Sequence, residues 1–136
     1  VKRYMLDTNI VSLLIRRQSA LVARVQDHSM SSLCVSAITA GEFAFGLARR
    51  PEATRLKIAV DEFLLRVDVL PWDGAVAEVY GALRARMEIA GKNLAPLDRL
   101  IAAHALGAGT VLVTNDRAFG HVPDLQIEDW TTPTPS

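Results

Sequence analysis

Short apolar runs alternate with longer amphipathic stretches along most of this chain. Residues 2–6 read as a short buried strand that stops at Asp7, and Ile10, Leu13 and Leu14 recur at helical spacing after it. A second short amphipathic segment covers 20–29 around Leu21, Val22 and Val25, and Leu33-Cys34-Val35 reads as the next strand. Ser36 is a good N-cap for a helix running through Glu42 to about Ala48. Pro51 punctuates, and 52–66 carries a stripe of Leu56, Val60, Phe63, Leu64 and Val67. Val67–Leu70 is a third strand. Asp73 caps a long helix over 74–90 with Val76, Tyr80, Leu83 and Met87 on one face, and Gly91 stops it. Pro96 opens a helix to Leu106 that ends at Gly107-Ala108-Gly109, followed by a strand over Thr110–Thr114 and a short fifth around Leu125-Gln126-Ile127.

Strands alternating with helices predict a three-layer α/β domain: a short parallel sheet of four or five strands flanked by helices. The expectation is one domain over 1–130 and a disordered tail over 131–136, which is polar and Pro-rich.

In such sheets ligands bind beyond the carboxyl ends of the strands. Asp7 and Asp116 follow apolar runs there, and Glu42 lies in the helix just past the second strand, so all three are expected at one sheet edge. Each also has a purely structural reading. Asp7 or Thr8 can start a helix, Glu42 can be a solvated helical acid, and Asp116 can cap Arg117-Ala118-Phe119. Asp98 sits in the first turn of an almost wholly apolar helix, where the helix dipole favours an acid. Its place in a shared site is argued from chemistry and not from chain geometry. His104, on the stripe of Leu97 and Ile101, reads as a core or hydrogen-bonded histidine.

Several carboxylates within a few ångströms cannot all stay ionised unaided. An all-oxygen cluster suits Mg²⁺ or Mn²⁺, which would activate water and screen charge on a phosphoryl oxygen. No His/Cys set offers Zn²⁺ a site, and neither a P-loop nor a dinucleotide-binding fingerprint is present.

Composition changes this picture little. The 136 residues carry 15 basic and 15 acidic side chains, so no global basic field advertises a nucleic-acid partner. Twelve of the basic residues are Arg, the type that grips phosphate bidentately. The single cysteine, Cys34, excludes an intrachain disulfide and reads as a small core hydrophobe. No apolar run is long enough to span a membrane, and no signal-peptide pattern precedes Asp7, so a cytoplasmic setting is expected.

Four segments then resemble a known family: Tyr4-Met5-Leu6-Asp7-Thr8-Asn9-Ile10; Val35-Ser36-Ala37-Ile38-Thr39 with Glu42; Pro96-Leu97-Asp98 with Ile101-Ala102-Ala103-His104-Ala105; and Val113-Thr114-Asn115-Asp116. In order and separation they resemble PIN-domain proteins, more narrowly the VapC toxins of prokaryotic toxin–antitoxin pairs, over roughly residues 3–130. The resemblance implies a PIN-like fold and a metal-dependent endoribonuclease that cuts a structured translation RNA such as tRNA or rRNA. It implies that Asp7, Glu42 and Asp98 hold Mg²⁺ or Mn²⁺ and that Asp116 completes the site. Asn9 and Thr114 match positions that hold the site by hydrogen bonding, Thr8 and Asn115 beside the acids are expected to add support, and Arg84 matches a basic position that could touch RNA. The implied partners are a VapB-like antitoxin, whose C-terminal segment offers an Arg or Lys to the acids, and a second copy in a homodimer. An apolar helix pair around 38–66 is the candidate dimer interface.

Two rival classes are weaker. A haloacid-dehalogenase-like phosphatase also opens with an Asp after the first strand, but wants a second acid two positions later, where this chain has Asn9. A non-enzymatic receiver-like module needs an Asp after the third strand and a Lys near the end, whereas Leu70-Pro71-Trp72 ends that strand and the lysines are Lys2, Lys57 and Lys92. A catalytically dead PIN-like adaptor is opposed by the complete acidic set.

Overall fold

A computed structural model describes residues 2–133. Five strands form one parallel sheet: β1 Tyr4–Leu6, β2 Leu33–Ser36, β3 Asp68–Leu70, β4 Val111–Val113 and β5 Ile127–Glu128. Their order is β3-β2-β1-β4-β5. The register sets Leu6 beside Val113 and Met5 beside both Cys34 and Leu112. The chain reverses its direction of travel across the sheet between β1 and β4, so a crevice is expected at their carboxyl ends. This order differs from the 2-1-3-4-5 arrangement of receiver-type sheets.

Six helices complete the fold: α1 Thr8–Ile15, α2 Ser19–Gln26, α3 Ala37–Arg49, α4 Thr54–Arg66, α5 Gly74–Ile89 and α6 Pro96–Ala108. Side chains alternate across the sheet with period two. Met5, Cys34 and Leu112 face Leu83, Met87, Ile101 and Ala102 of α5 and α6. Leu6, Leu33, Val35 and Val113 face Ile10, Val11 and Leu21 of α1 and α2, together with Phe63 and Leu64 of α4. The sheet is therefore covered on both sides, as the short apolar runs require. Cys34 is fully buried, and burial pushes its thiol up to about 11, which keeps it an inert core group.

Helix starts follow the expected caps. The carboxylate of Asp73 accepts from the Val76 amide at 3.1 Å, and the Ser36 hydroxyl accepts from the Ile38 amide at 3.1 Å. Ser36 also bonds Nδ1 of buried His104 at 2.7 Å, so this histidine is the hydrogen-bonded core residue expected. Ser36→Ala removes both bonds inside the core, and chemical denaturation is expected to show a loss of about 1–2 kcal/mol.

Most element boundaries move by a residue or two; α6 runs on to Ala108 instead of ending at Leu106, because the left-handed stop is Gly109. The fifth strand falls at Ile127–Glu128, one to two residues later than expected. At the start of the expected tail Thr131 is held in place: Trp130 before it is fully buried, and the Thr131 carbonyl accepts from the Gln18 side chain at 3.0 Å. Burying an indole at the sheet edge fixes the chain on both sides of it. Residues 134–136 of the expected tail lie outside the described residues. Among the described residues, no helix is long and apolar enough to cross a membrane.

Candidate active site

Asp7 leaves β1 in extended backbone and caps α1, one carboxylate oxygen accepting from the Ile10 amide at 2.8 Å. Asp7 thus starts the helix, as its structural reading has it, and also lines a cleft. Thr8 and Ser12, one helical turn apart on α1, line the same cleft. Glu42 enters from the middle of α3, where it is held by a 2.8 Å hydrogen bond from the Thr8 hydroxyl. Thr8 also meets Thr39 at 3.0 Å, tying the start of α1 to the face of α3 that carries Glu42.

Asp98 reaches the cleft from the first turn of α6, and Asp116 from the loop after β4, where it caps a 3-10 turn over Arg117–His121. The Thr114 hydroxyl accepts from the Asp116 amide at 3.0 Å and favours the charged form of the Asp7 carboxylate. Asn9 Nδ2 donates to Asn115 Oδ1 at 2.8 Å, closing the gap between α1 and the loop after β4. All four predicted acids, from four separate segments, line one cleft of about 400 Å³ together with Thr8, Asn9, Ser12 and Phe119.

The electrostatics are those of an anionic cluster short of positive charge. Asp7 is 5% exposed, and its carboxyl is pushed up to about 6. Burial is the main cause, hydrogen bonds from Thr114 and Ile10 pull the other way, and the charges of Asp98 and Asp116 raise it further. Asp98 is also raised, first by burial, then by Asp116 and Glu42. No Lys or Arg lines the cleft to offset these charges. As the side chains stand, no three His, Cys, Asp or Glu groups among the described residues are gathered tightly enough to hold a metal ion by themselves.

Arg84 is not brought to this cleft. It is exposed on α5, where its guanidinium donates to Glu88 and to the Tyr80 hydroxyl, each at 3.1 Å. Three residues at or behind the cleft were not singled out from sequence as site residues: Thr39, buried behind it against Thr8, and Ser12 and Phe119 in its lining. A signal for the first two was present, since Thr39 is three residues before Glu42 and Ser12 four after Thr8, each on a shared helical face. Phe119 carried none, because a buried aromatic after a strand reads as core.

Carboxylates gathered at the β1/β4 crevice of a parallel sheet, with hydroxyls and amides beside them, make a candidate active site in an α/β domain. The PIN domain family model matches residues 4–125, and the chain belongs to that family. Its relatives include the tRNA(fMet)-specific endonuclease VapC of Shigella flexneri, 34% identical over 130 residues that cover 95% of this chain and 98% of the relative. Ribonuclease VapC2 of Haemophilus influenzae is 33% identical over 129 residues, covering 94% of this chain and 98% of the relative. Among solved structures, the DNA-bound VapBC of Salmonella typhimurium matches with a TM-score of 0.88 and 33% identity, over 96% of this chain and 99% of that one. The VapBC2 of Rickettsia felis, bound to a promoter DNA fragment, matches with a TM-score of 0.86 and 28% identity over 93% and 98%.

Proposed function

We propose that this chain is an endoribonuclease toxin of the VapC type, restrained by a VapB-like antitoxin. The observation that carries the reading is the meeting of Asp7, Glu42, Asp98 and Asp116 in one cleft, in a chain similar over nearly its whole length to named VapC ribonucleases. The phosphatase and receiver readings give way to the family match.

The donor chemistry suits a hard divalent cation. A buried Asp7 whose charged form is disfavoured by burial and by two neighbouring acids is a group that a cation would relieve. Mg²⁺ needs only one or two carboxylates and keeps several waters, so a loosely gathered set of acids is compatible with it. In this reading Asp7, Glu42, Asp98 and Asp116 hold Mg²⁺ or Mn²⁺, and the ion supplies charge stabilisation and water activation for phosphodiester hydrolysis. The chain's own groups do the positioning. Thr8 aims Glu42, the Ile10 amide orients Asp7, Thr114 favours its charged form, and the Asn9–Asn115 pair fixes the rim.

The first substrate to assay is initiator tRNA, the RNA named for the Shigella relative. The proposed setting is the cytoplasm, with the chain assembled as a homodimer and in a toxin–antitoxin complex. The antitoxin's inhibitory segment would offer a basic side chain to the acids, and the same charge complementarity that recruits a cation would hold it.

Purified protein should cleave RNA, and excess chelator should stop it. Thr8→Val keeps the side-chain shape but removes the bond that aims Glu42. Its kcat is expected to fall about tenfold, in line with the worth of one hydrogen bond to a charged group. Full activity of Thr8→Val would remove Thr8 from its positioning role.

A further inference from the structure

Beside the acidic cleft runs a second groove of about 430 Å³, which shares Thr8, Ser12 and Glu42 with it. The rest of its lining includes Phe43, Phe45, Arg49, Arg50 and Leu56. We propose that this groove is a nucleotide subsite, in which Phe45 and Arg49 stack a base of the RNA next to the scissile bond and Arg50 meets the adjoining phosphate. The inference rests on the ribonuclease reading and names where the substrate strand runs.

Three observations carry it. First, the acidic cleft has no cation in its lining, yet a phosphodiester strand is an anion that must be attracted by charges nearby. Arg49 and Arg50 supply positive charge next to the cleft, and neither forms an ion pair among the described residues. Second, Phe45 is 63% exposed, and the Arg49 guanidinium lies 5.6 Å from its ring centre. An exposed ring with a guanidinium over it is a stacking platform for any base, whatever its identity. Third, the groove adjoins the cleft, sharing Thr8, Ser12 and Glu42 with it, and has the size of a small-ligand site. An apolar protein segment would use Phe45 and Leu56, but a basic segment of the kind that would approach the acids meets repulsion from Arg49 and Arg50. A single RNA strand satisfies both features together, which assigns the groove face around Phe45 and Arg49 to RNA and not to the dimer interface expected within 38–66.

The test uses the full chain and oligoribonucleotides spanning a mapped cut, either long on both sides or trimmed on one side to the scissile bond. Phe45→Ala and the double variant Arg49→Ala/Arg50→Ala alter exposed side chains, and melting curves check that they fold. On the long oligonucleotide each should raise KM about tenfold or more, with a smaller change in kcat, while Phe45→Tyr keeps stacking and tracks the wild type. Trimming the side that occupies the groove should cost the wild type a similar factor and erase the difference between it and the variants. Equal KM values for wild type and variants on the long substrate would overturn the inference. So would a deficit that survives trimming on either side, or unchanged RNA turnover with lost binding of a partner protein. Wild type that cleaves no RNA is a different failure: it defeats the ribonuclease reading itself and the subsite with it.

Discussion

Asp7→Asn is expected to make the metal-free protein more stable while abolishing RNA cleavage. The two effects have one cause. The Asp7 carboxyl is pushed up to about 6 from an ordinary value of 3.8 because its charged form is buried beside Asp98 and Asp116. Between those two values the folded protein binds more protons than the unfolded chain, so stability falls as pH rises from about 4 to about 6 and stays depressed above that. That gap corresponds to about 3 kcal/mol, most of which a neutral side chain of the same shape can recover. Asn keeps the cap on the Ile10 amide, since it caps helices as well as Asp does. In chelator at pH 8, the variant should melt roughly 3–10 °C above wild type, and at pH 4 the difference should vanish. Cleavage should fall by about 10²–10³-fold or more, the scale for removing one group that stabilises transition-state charge. A variant less stable than wild type at pH 8 would show that the charge of Asp7 is already compensated within the fold.

Divalent cations should reverse the same deficit from the other side. With Mg²⁺ or Mn²⁺ at about a hundred times its dissociation constant, an ion that binds only the folded state adds about 2.7 kcal/mol. Melting of the wild type at pH 7.5 should therefore shift upward by several degrees, and cleavage lost in chelator should return. Binding needs the carboxylates charged, so the shift should shrink as pH falls through about 6, where Asp7 takes up its proton. The double variant Asp7→Asn/Asp98→Asn should show no shift. Undiminished cleavage in excess chelator would remove the metal from the account.

Much of this site was legible in the chain because strand ends are legible. Asp7 and Asp116 follow apolar runs that are buried strands, and the parallel register sets Leu6 beside Val113, which brings the two acids to one crevice. Glu42 followed from a well-capped helix after β2. Asp98 was the residue that chain geometry was not expected to place, yet geometry does place it. The helix α6 leads into β4 across a short turn at Gly109, so it runs back along the sheet and its first turn lies at the strands' carboxyl edge. The same antiparallel run appears in its packing on α5, where Gly107 near the end of α6 faces Val76 near the start of α5. What the sequence hid was contact between distant segments: the bond from Thr8 to Glu42, and the one from Asn9 to Asn115 across 106 positions. Such pairs depend on how helices settle against one another, and no local periodicity encodes them. Arg84 shows the reverse limit, since a basic residue at a suggestive position is engaged by its own helix neighbours Tyr80 and Glu88.

The central claim is that the acidic cleft hydrolyses RNA. It is tested most directly by mapping RNA 5′ ends in cells after brief induction of the wild type and, in parallel, of Asp7→Asn. The account predicts a small set of new ends with the wild type, at defined positions in a structured RNA, and none with the variant. The same new ends from both proteins, or no new ends from the wild type, would contradict it.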